Sequence, residues 1–400
     1  MDILRKIYSP LLAILSVGVI VFSCCEIPPD TPVDLKRVVL LYVAGNNNLS
    51  PDLRKNVQDI EKGYIPSYNS GEVLLSFVHL QGEVPRLIKF EKNKAGSIIR
   101  DTIVEYTNTL VSSAANVLRM ILEDTKERYP CDDYSLILSS HATGWVPNGA
   151  MHSTSSKTAE VDEGIDPYAG MVKSFGADDK SSTVMELKEM KNAIPYHLSL
   201  IMFDACFMGG VEVAYELKDR CDYLIAAPSE ILSAGFPYDK IMDHFFSTPQ
   251  NLAKVCEEYF NLYNGQTGEY RSATVGLYKT SELANLASVA GEIFEKYRSE
   301  IQLIDRNDIQ RYYRTFYYNA QGWFWDLGDF VERLTTAEEY ATFEAALNKV
   351  VVSKYTTERF IDIPIVKYSG LSVYIPTDND TYIESRYKEL DWNRDTGLVQ

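Results

Sequence analysis

Short, almost wholly apolar runs alternate with amphipathic stretches over the first 245 residues, and each run stops at a turn or at small polar side chains. No other feature constrains the fold as much. Val38 to Ala44 is apolar throughout and closes on Gly45-Asn46-Asn47-Asn48. A segment with no polar face suits a strand covered on both sides, followed by a turn. Ser50 stands where a helix cap is needed, ahead of Pro51 and Asp52, and Leu53, Val57 and Ile60 fall on one helical face. Val73 to Leu80 reads as a second buried strand and Arg86 to Phe90 as a shorter one. Between Ser112 and Tyr129, Ala115, Leu118 and Leu122 recur at helical spacing, and Pro130 ends the run. Leu136-Ile137-Leu138 leads into Ser139-Ser140-His141, and Leu198 to Phe203 leads into Asp204-Ala205-Cys206. Val211 to Leu217 is helical and Tyr223 to Ala227 strand-like. The pattern predicts an α/β domain with a mostly parallel sheet flanked by helices.

Near residue 245 the periodicity changes. Longer helices are expected at Leu252 to Tyr263, Ser281 to Ile301 and Thr336 to Val352, with strand-like pieces at Ala273 to Tyr278 and Leu371 to Ile375. A chain of 400 residues exceeds the usual single domain. The expected division is an α/β domain over 37–245 and a helical and strand region over 246–400 packed on it. Residues 146–182 are rich in Gly, Ser, Thr and acids without a sustained period. A loop that long inside a compact domain is usually functional or disordered.

At the N-terminus, Arg5 and Lys6 precede an apolar run from Ile7 to Phe22, short for a membrane span and laid out like the core of a secretory signal. It ends in Val21-Phe22-Ser23-Cys24, which resembles a bacterial lipoprotein signal: an aliphatic residue, a small residue, then the cysteine that takes the lipid. Residues 1–23 are expected to be the signal, Cys24 the lipidation site, and the proline-punctuated 24–36 a tether. The expected location is the cell envelope, lipid-anchored, at the outer membrane. The plain alternative is an ordinary signal peptide with an incidental cysteine.

Composition removes several function classes. Lys plus Arg number 39 against 56 Asp plus Glu, a net charge of −17, which argues against a nucleic-acid partner. Six cysteines are too few for a disulfide scaffold, and without a C-x-x-C pair neither a zinc ribbon nor thioredoxin-type chemistry fits. A G-x-S-x-G elbow, a G-x-G-x-x-G turn and a P-loop are all missing from the sequence.

In open α/β sheets, functional groups collect at the carboxyl ends of strands. Two ends carry reactive side chains, His141 and Cys206. A thiol is a competent nucleophile as thiolate, and a neighbouring imidazole promotes ionisation and later protonates a leaving amine. The helix expected just after Cys206 would favour the thiolate through its N-terminus. Backbone N–H groups of Ala142 and Cys206 are candidates to face a developing oxyanion. Singly, a cysteine at a strand end is more often a small core residue, and a histidine a satisfied structural one. Their joint placement, with Gly144-Trp145 after one and Gly209-Gly210 after the other, favours the catalytic reading. Cys131, Cys221 and Cys256 read as structural, and His79, also after a strand, is the reserve candidate.

Ser139-Ser140-His141-Ala142-Thr143-Gly144-Trp145 and Phe203-Asp204-Ala205-Cys206-Phe207-Met208-Gly209 resemble the His and Cys motifs of the clostripain family of cysteine peptidases. Leu41-Tyr42-Val43-Ala44-Gly45-Asn46-Asn47-Asn48-Leu49 is similar to that family's first strand and turn, and Gly370 to Pro376 to its late strand. The resemblance implies a caspase-like fold and a dyad of Cys206 as nucleophile and His141 as general acid/base. It implies cleavage after Arg or Lys, with Asp204 at the floor of the specificity pocket; the alternative for Asp204 is a structural acid capping the next helix. Ala142 departs from the glycine that family members often carry there. Asp326-Leu327-Gly328-Asp329, after Trp323-Phe324-Trp325, resembles a late family motif that either walls the cleft or belongs to the core.

Relatives are often zymogens, cut between the two catalytic residues. In this chain, 142–205 holds five lysines and no arginine, and Lys157, in the polar loop between Ser156 and Thr158, is the expected autoprocessing site. The chemistry itself needs no cofactor. Some relatives use Ca²⁺, and Glu160, Asp162, Glu163, Asp166, Asp178 and Asp179 offer oxygen donors, though a solvated acidic loop is the better reading without an EF-hand pattern. The expected partners are polypeptides with a basic P1 residue, and the membrane through Cys24. The competing reading is a catalytically silent surface lipoprotein that keeps the fold to bind a partner.

Overall fold

The apolar runs become strands. In chain order the elements are β1 (Arg37–Gly45), α1 (Ser50–Ile60), β2 (Glu72–Leu80), β3 (Arg86–Lys92), β4 (Ile98–Glu105), α2 (Ala115–Arg128), β5 (Tyr134–Ser139), α3 (Leu187–Ala193), β6 (Leu198–Asp204), α4 (Val211–Glu216) and β7 (Cys221–Ala226). They continue with α5 (Tyr238–Phe246), α6 (Leu252–Asn264), β8 (Thr274–Lys279), α7 (Leu283–Lys296), α8 (Arg298–Leu303), β9 (Trp325–Asp326), α9 (Leu327–Leu334) and α10 (Ala337–Val350). The last are β10 (Val351–Thr356), β11 (Arg359–Phe360), β12 (Ile363–Pro364), β13 (Ser372–Val373), α11 (Thr381–Tyr387) and α12 (Asp391–Thr396). The structure, a computed structural model, describes residues 34–148, 150, 175–176, 178, 184–314, 322–376 and 381–400. Cys24, Lys157, Glu160, Asp162, Glu163, Asp166 and Asp179 lie outside the described residues.

Nine strands form one sheet in the order β10-β8-β7-β6-β5-β1-β2-β3-β4. The middle five, β7 to β2, run parallel, and antiparallel strands are added on both flanks. Along β1 the side chains alternate between two cores. Val38, Leu40 and Tyr42 pack on the side of α2, α4, α7 and α12, while Val39, Leu41 and Val43 pack on the side of α1, α5 and α6. With helices on both faces, nearly every position in the central strands is apolar, which is why they read as unbroken runs. Strands from both sides of residue 245 share this sheet, since β8 and β10 complete its edge. Residues 34–400 form one compact unit.

Several local readings change. Ser50 is the first residue of α1 rather than its cap, and its hydroxyl accepts from Gln81 N–H at 3.1 Å. The helix expected through Val352 ends at Val350, and the β-branched Val351 and Val352 open β10 instead. The long helix from Ser281 divides into α7 and α8. β4 escaped notice because it is an edge strand with mostly exposed side chains, Ile98 and Ile99 among them. Of the late strand-like piece, only Ser372–Val373 pairs, with β9 rather than the main sheet.

Candidate active site

Parallel register brings the two motifs together. Ser139 pairs with Asp204 at the carboxyl ends of β5 and β6, so His141 and Cys206, each two residues further on, emerge side by side. Both line one cleft with Asp204, Asn56, Leu53, Leu232 and Gly235. His79 is not among its walls: it is buried at the end of β2, 2.9 Å from Ser112 Oγ, and takes a structural role.

The turn after β1 orients the histidine. Asn47 accepts from Leu49 N–H (2.9 Å) and donates to Ala44 C=O (3.1 Å), while Ser140 Oγ donates to the same carbonyl at 2.6 Å. These bonds tie the ends of β1 and β5 together and deliver Asn48 Oδ1 to His141 Nε2 at 2.7 Å. An amide oxygen only accepts, so Nε2 carries the hydrogen and Nδ1 is the basic nitrogen. Asn48 was not assigned a role from sequence; its only signal was the asparagine triplet closing a strand.

Cys206 is half-buried on the turn leaving β6. Ile231 brackets its sulfur: the N–H donates to Sγ at 3.3 Å, and the carbonyl lies 3.7 Å from Sγ. The next residue, Phe207, has φ 61°, in the left-handed region, and its N–H donates to Ser229 C=O at 2.8 Å. Its ring stacks on Phe324 at 4.4 Å. The aromatic run at 323–325 is therefore core that supports the nucleophile turn. Asp326 caps α9, accepting from Asp329 N–H, and also accepts from Ser369 N–H and the Tyr312 hydroxyl.

Electrostatics at the sulfur run against the sequence expectation. Burial, then the Glu230 carboxylate, push the Cys206 thiol up to about 12, while the Ile231 N–H pulls the other way. α4 begins at Val211 and has six residues. In this conformation Cys206 rests as a thiol.

Asp204 lines the cleft. Its Oδ2 accepts from Tyr238 OH at 2.9 Å and Ser139 Oγ at 3.2 Å, and burial raises its carboxyl to about 6 despite these bonds. Gly235, at φ 65°, leaves room beside Asp204, since a Cβ there would lie 2.7 Å from Asp204 Oδ2 and 2.8 Å from Asn56 Nδ2. Asp204 thus borders the cleft and bonds to side chains from other elements, and it caps no helix. Asn56, buried on α1, also went unnoticed in the sequence.

Phe175 and Gly176, within the 146–182 stretch, return to this site. Phe175 pairs with Ala142, and Gly176 N–H donates to His141 C=O at 3.0 Å. Asp178, buried, accepts from Asn46 Nδ2 at 2.9 Å.

The model of the clostripain family, peptidase C11, matches residues 41–397. The chain belongs to the clostripain family. Clostripain of Hathewaya histolytica is 26% identical over 235 residues, which is 52% of this chain and 42% of that one. The chain therefore matches less than half the length of clostripain. The structure is similar to that of an inactive zymogen C11 protease from Parabacteroides distasonis, with TM-score 0.77, 28% identity, and coverage of 92% of this chain and 99% of that one. It shares its fold with a secreted C11 cysteine protease from Bacteroides thetaiotaomicron, with TM-score 0.75, 24% identity, and coverage of 91% and 100%. Among the described residues, no helix is long and apolar enough to cross a membrane.

Proposed function

We propose that this clostripain-family chain is an exported cysteine endopeptidase that cuts after Arg or Lys with a Cys206–His141 dyad. The observation that carries the reading is the Ser139–Asp204 register, which puts a thiol, an imidazole and a buried acid around one cleft. His141 Nδ1 takes the thiol proton as Sγ attacks the scissile carbonyl, and the N–H groups of Ala142 and Cys206 face the oxyanion. The imidazolium then gives its proton to the leaving amine, and water hydrolyses the thioester. Asp204 holds the P1 cation by charge-assisted hydrogen bonds.

The chain described is the uncut form in this reading. A protonated thiol fits a resting precursor, and Gly176, C-terminal to Lys157 in the same stretch, bonds back to the His141 carbonyl. That a similar structure is an inactive zymogen supports the same view. Cys24 supplies a lipid anchor after export. The deciding experiment is turnover of Arg- and Lys-terminated fluorogenic peptides by wild type and Cys206→Ala. Wild type cleaves and the variant does not. Equal cleavage by both sinks the dyad, and no cleavage by processed wild type leaves a binding module.

A further inference from the structure

Two segments far apart in sequence meet beside the Cys206 sulfur. Ile231 supplies the N–H and C=O that bracket it. The residue before, Glu230, is gripped by Arg314: Nε donates to Oε2 at 2.9 Å and Nη2 to Oε1 at 3.3 Å. Both side chains of this pair are 8% exposed. A buried fork of this kind fixes orientation as well as charge, and losing one partner strands the other's charge. The dyad chemistry does not itself require Glu230 or Arg314.

We propose that Arg314 is a positioning residue for the nucleophile: it neutralises Glu230 and locks the Glu230–Ile231 backbone against Sγ, which limits how strongly Glu230 opposes ionisation of Cys206. This rests on Cys206 being the nucleophile. Among the described residues, the titratable groups facing the sulfur come from five places. Asp204 ends β6, Glu230 follows β7, Arg314 precedes β9, His141 lies across the cleft after β5, and the Tyr259 phenol comes from α6. Glu230 and Asp204 oppose a thiolate and Arg314 favours one. Without Arg314, the Glu230 carboxylate would lose its guanidinium fork one residue from the N–H that should hold the thiolate.

The test is the rate of iodoacetamide alkylation at Cys206 across a pH series, read by peptide mass spectrometry on the full chain. In Arg314→Met the midpoint rises by about one pH unit or more. Arg314→Lys restores most of it, because the charge survives. Glu230→Gln lowers it, and Glu230→Gln/Arg314→Met returns it towards wild type. If Arg314→Met fails to fold, the last two variants carry the comparison alone, since neither strands a buried carboxylate at position 230. A midpoint unmoved in Arg314→Met, or equal in Glu230→Gln with and without Arg314, overturns the proposal. So does Arg314→Lys behaving as Arg314→Met. The dyad fails separately, by peptide turnover in Cys206→Ala, and leaves the alkylation profile readable.

Discussion

Gly144 lies so close to the carbonyl oxygen of Phe207 that a Cβ at that position would come within 2.6 Å of it. The histidine loop and the cysteine turn are thus in direct backbone contact. Gly144 also has φ 61°, which costs an L-residue about 1–2 kcal/mol. Gly144→Ala should lower stability by at least that much and separate the two loops. Thermal melts and peptide kcat would show a loss of activity larger than the fall in folded fraction.

Asn48 is expected to act through His141. Asn48→Ala removes the acceptor that holds Nε2–H and should lower kcat about tenfold, with KM little changed. Asn48→Asp, which keeps an acceptor, should recover part of it. Steady-state kinetics on one basic substrate would check both, and a KM effect alone would place Asn48 in substrate binding.

At Asp204 the sign follows from its raised carboxyl. With a value of about 6, the group is ionised above that pH and neutral below it. kcat/KM for Arg and Lys substrates should therefore fall as pH drops through about 6. Asp204→Asn keeps an acceptor for Tyr238 and Ser139 but no charge. It should cost about a hundredfold in kcat/KM on basic substrates and should not lower the melting temperature at neutral pH. Unchanged kinetics with a lower melting temperature would make Asp204 purely structural.

Glu212, fully buried at the start of α4, accepts from Tyr374 N–H at 2.8 Å and Tyr387 OH at 2.9 Å, and burial raises its carboxyl from 4.5 to about 7. A raised acid favours folding most below its unfolded value. Its contribution is lost as pH rises from about 4.5 to about 7, by about 3 kcal/mol in all. Glu212→Gln should melt higher than wild type above neutrality and show a flatter stability curve. Denaturant titrations on either side of that window decide it.

Processing is expected after Lys157, with both fragments retained because each contributes strands to the sheet. Intact and denatured mass spectra of wild type beside Cys206→Ala test this. An uncut, fully active wild type refutes activation by cleavage, and a cut that persists in Cys206→Ala assigns it to another protease.

The central strands and the two reactive ends were legible because a covered parallel strand leaves an unbroken apolar run, and chemistry follows where the run stops. His141, Cys206 and Asp204 needed no more than that and the motifs around them. β4 was not legible, since an exposed edge strand has no buried run to find. Asn56, Tyr238 and Arg314 were hidden for another reason. Each belongs to a segment whose own pattern is ordinary, and only tertiary packing brings it to Asp204 or Glu230. The raised thiol was not legible because its causes are burial and the Glu230 carboxylate, neither of which shows in the order of residues around Cys206.

The contact between Phe207 and Phe324, with the pairing of Gly210 and Ser372, also has a temporal meaning. By residue 245 a growing polypeptide already contains the thiol, the imidazole and the pocket acid. It still lacks the aromatic platform beneath the nucleophile turn and the strand that buttresses its far side. The nucleophile turn therefore gains its last supports only when synthesis has run more than 160 residues beyond Cys206, to Ser372.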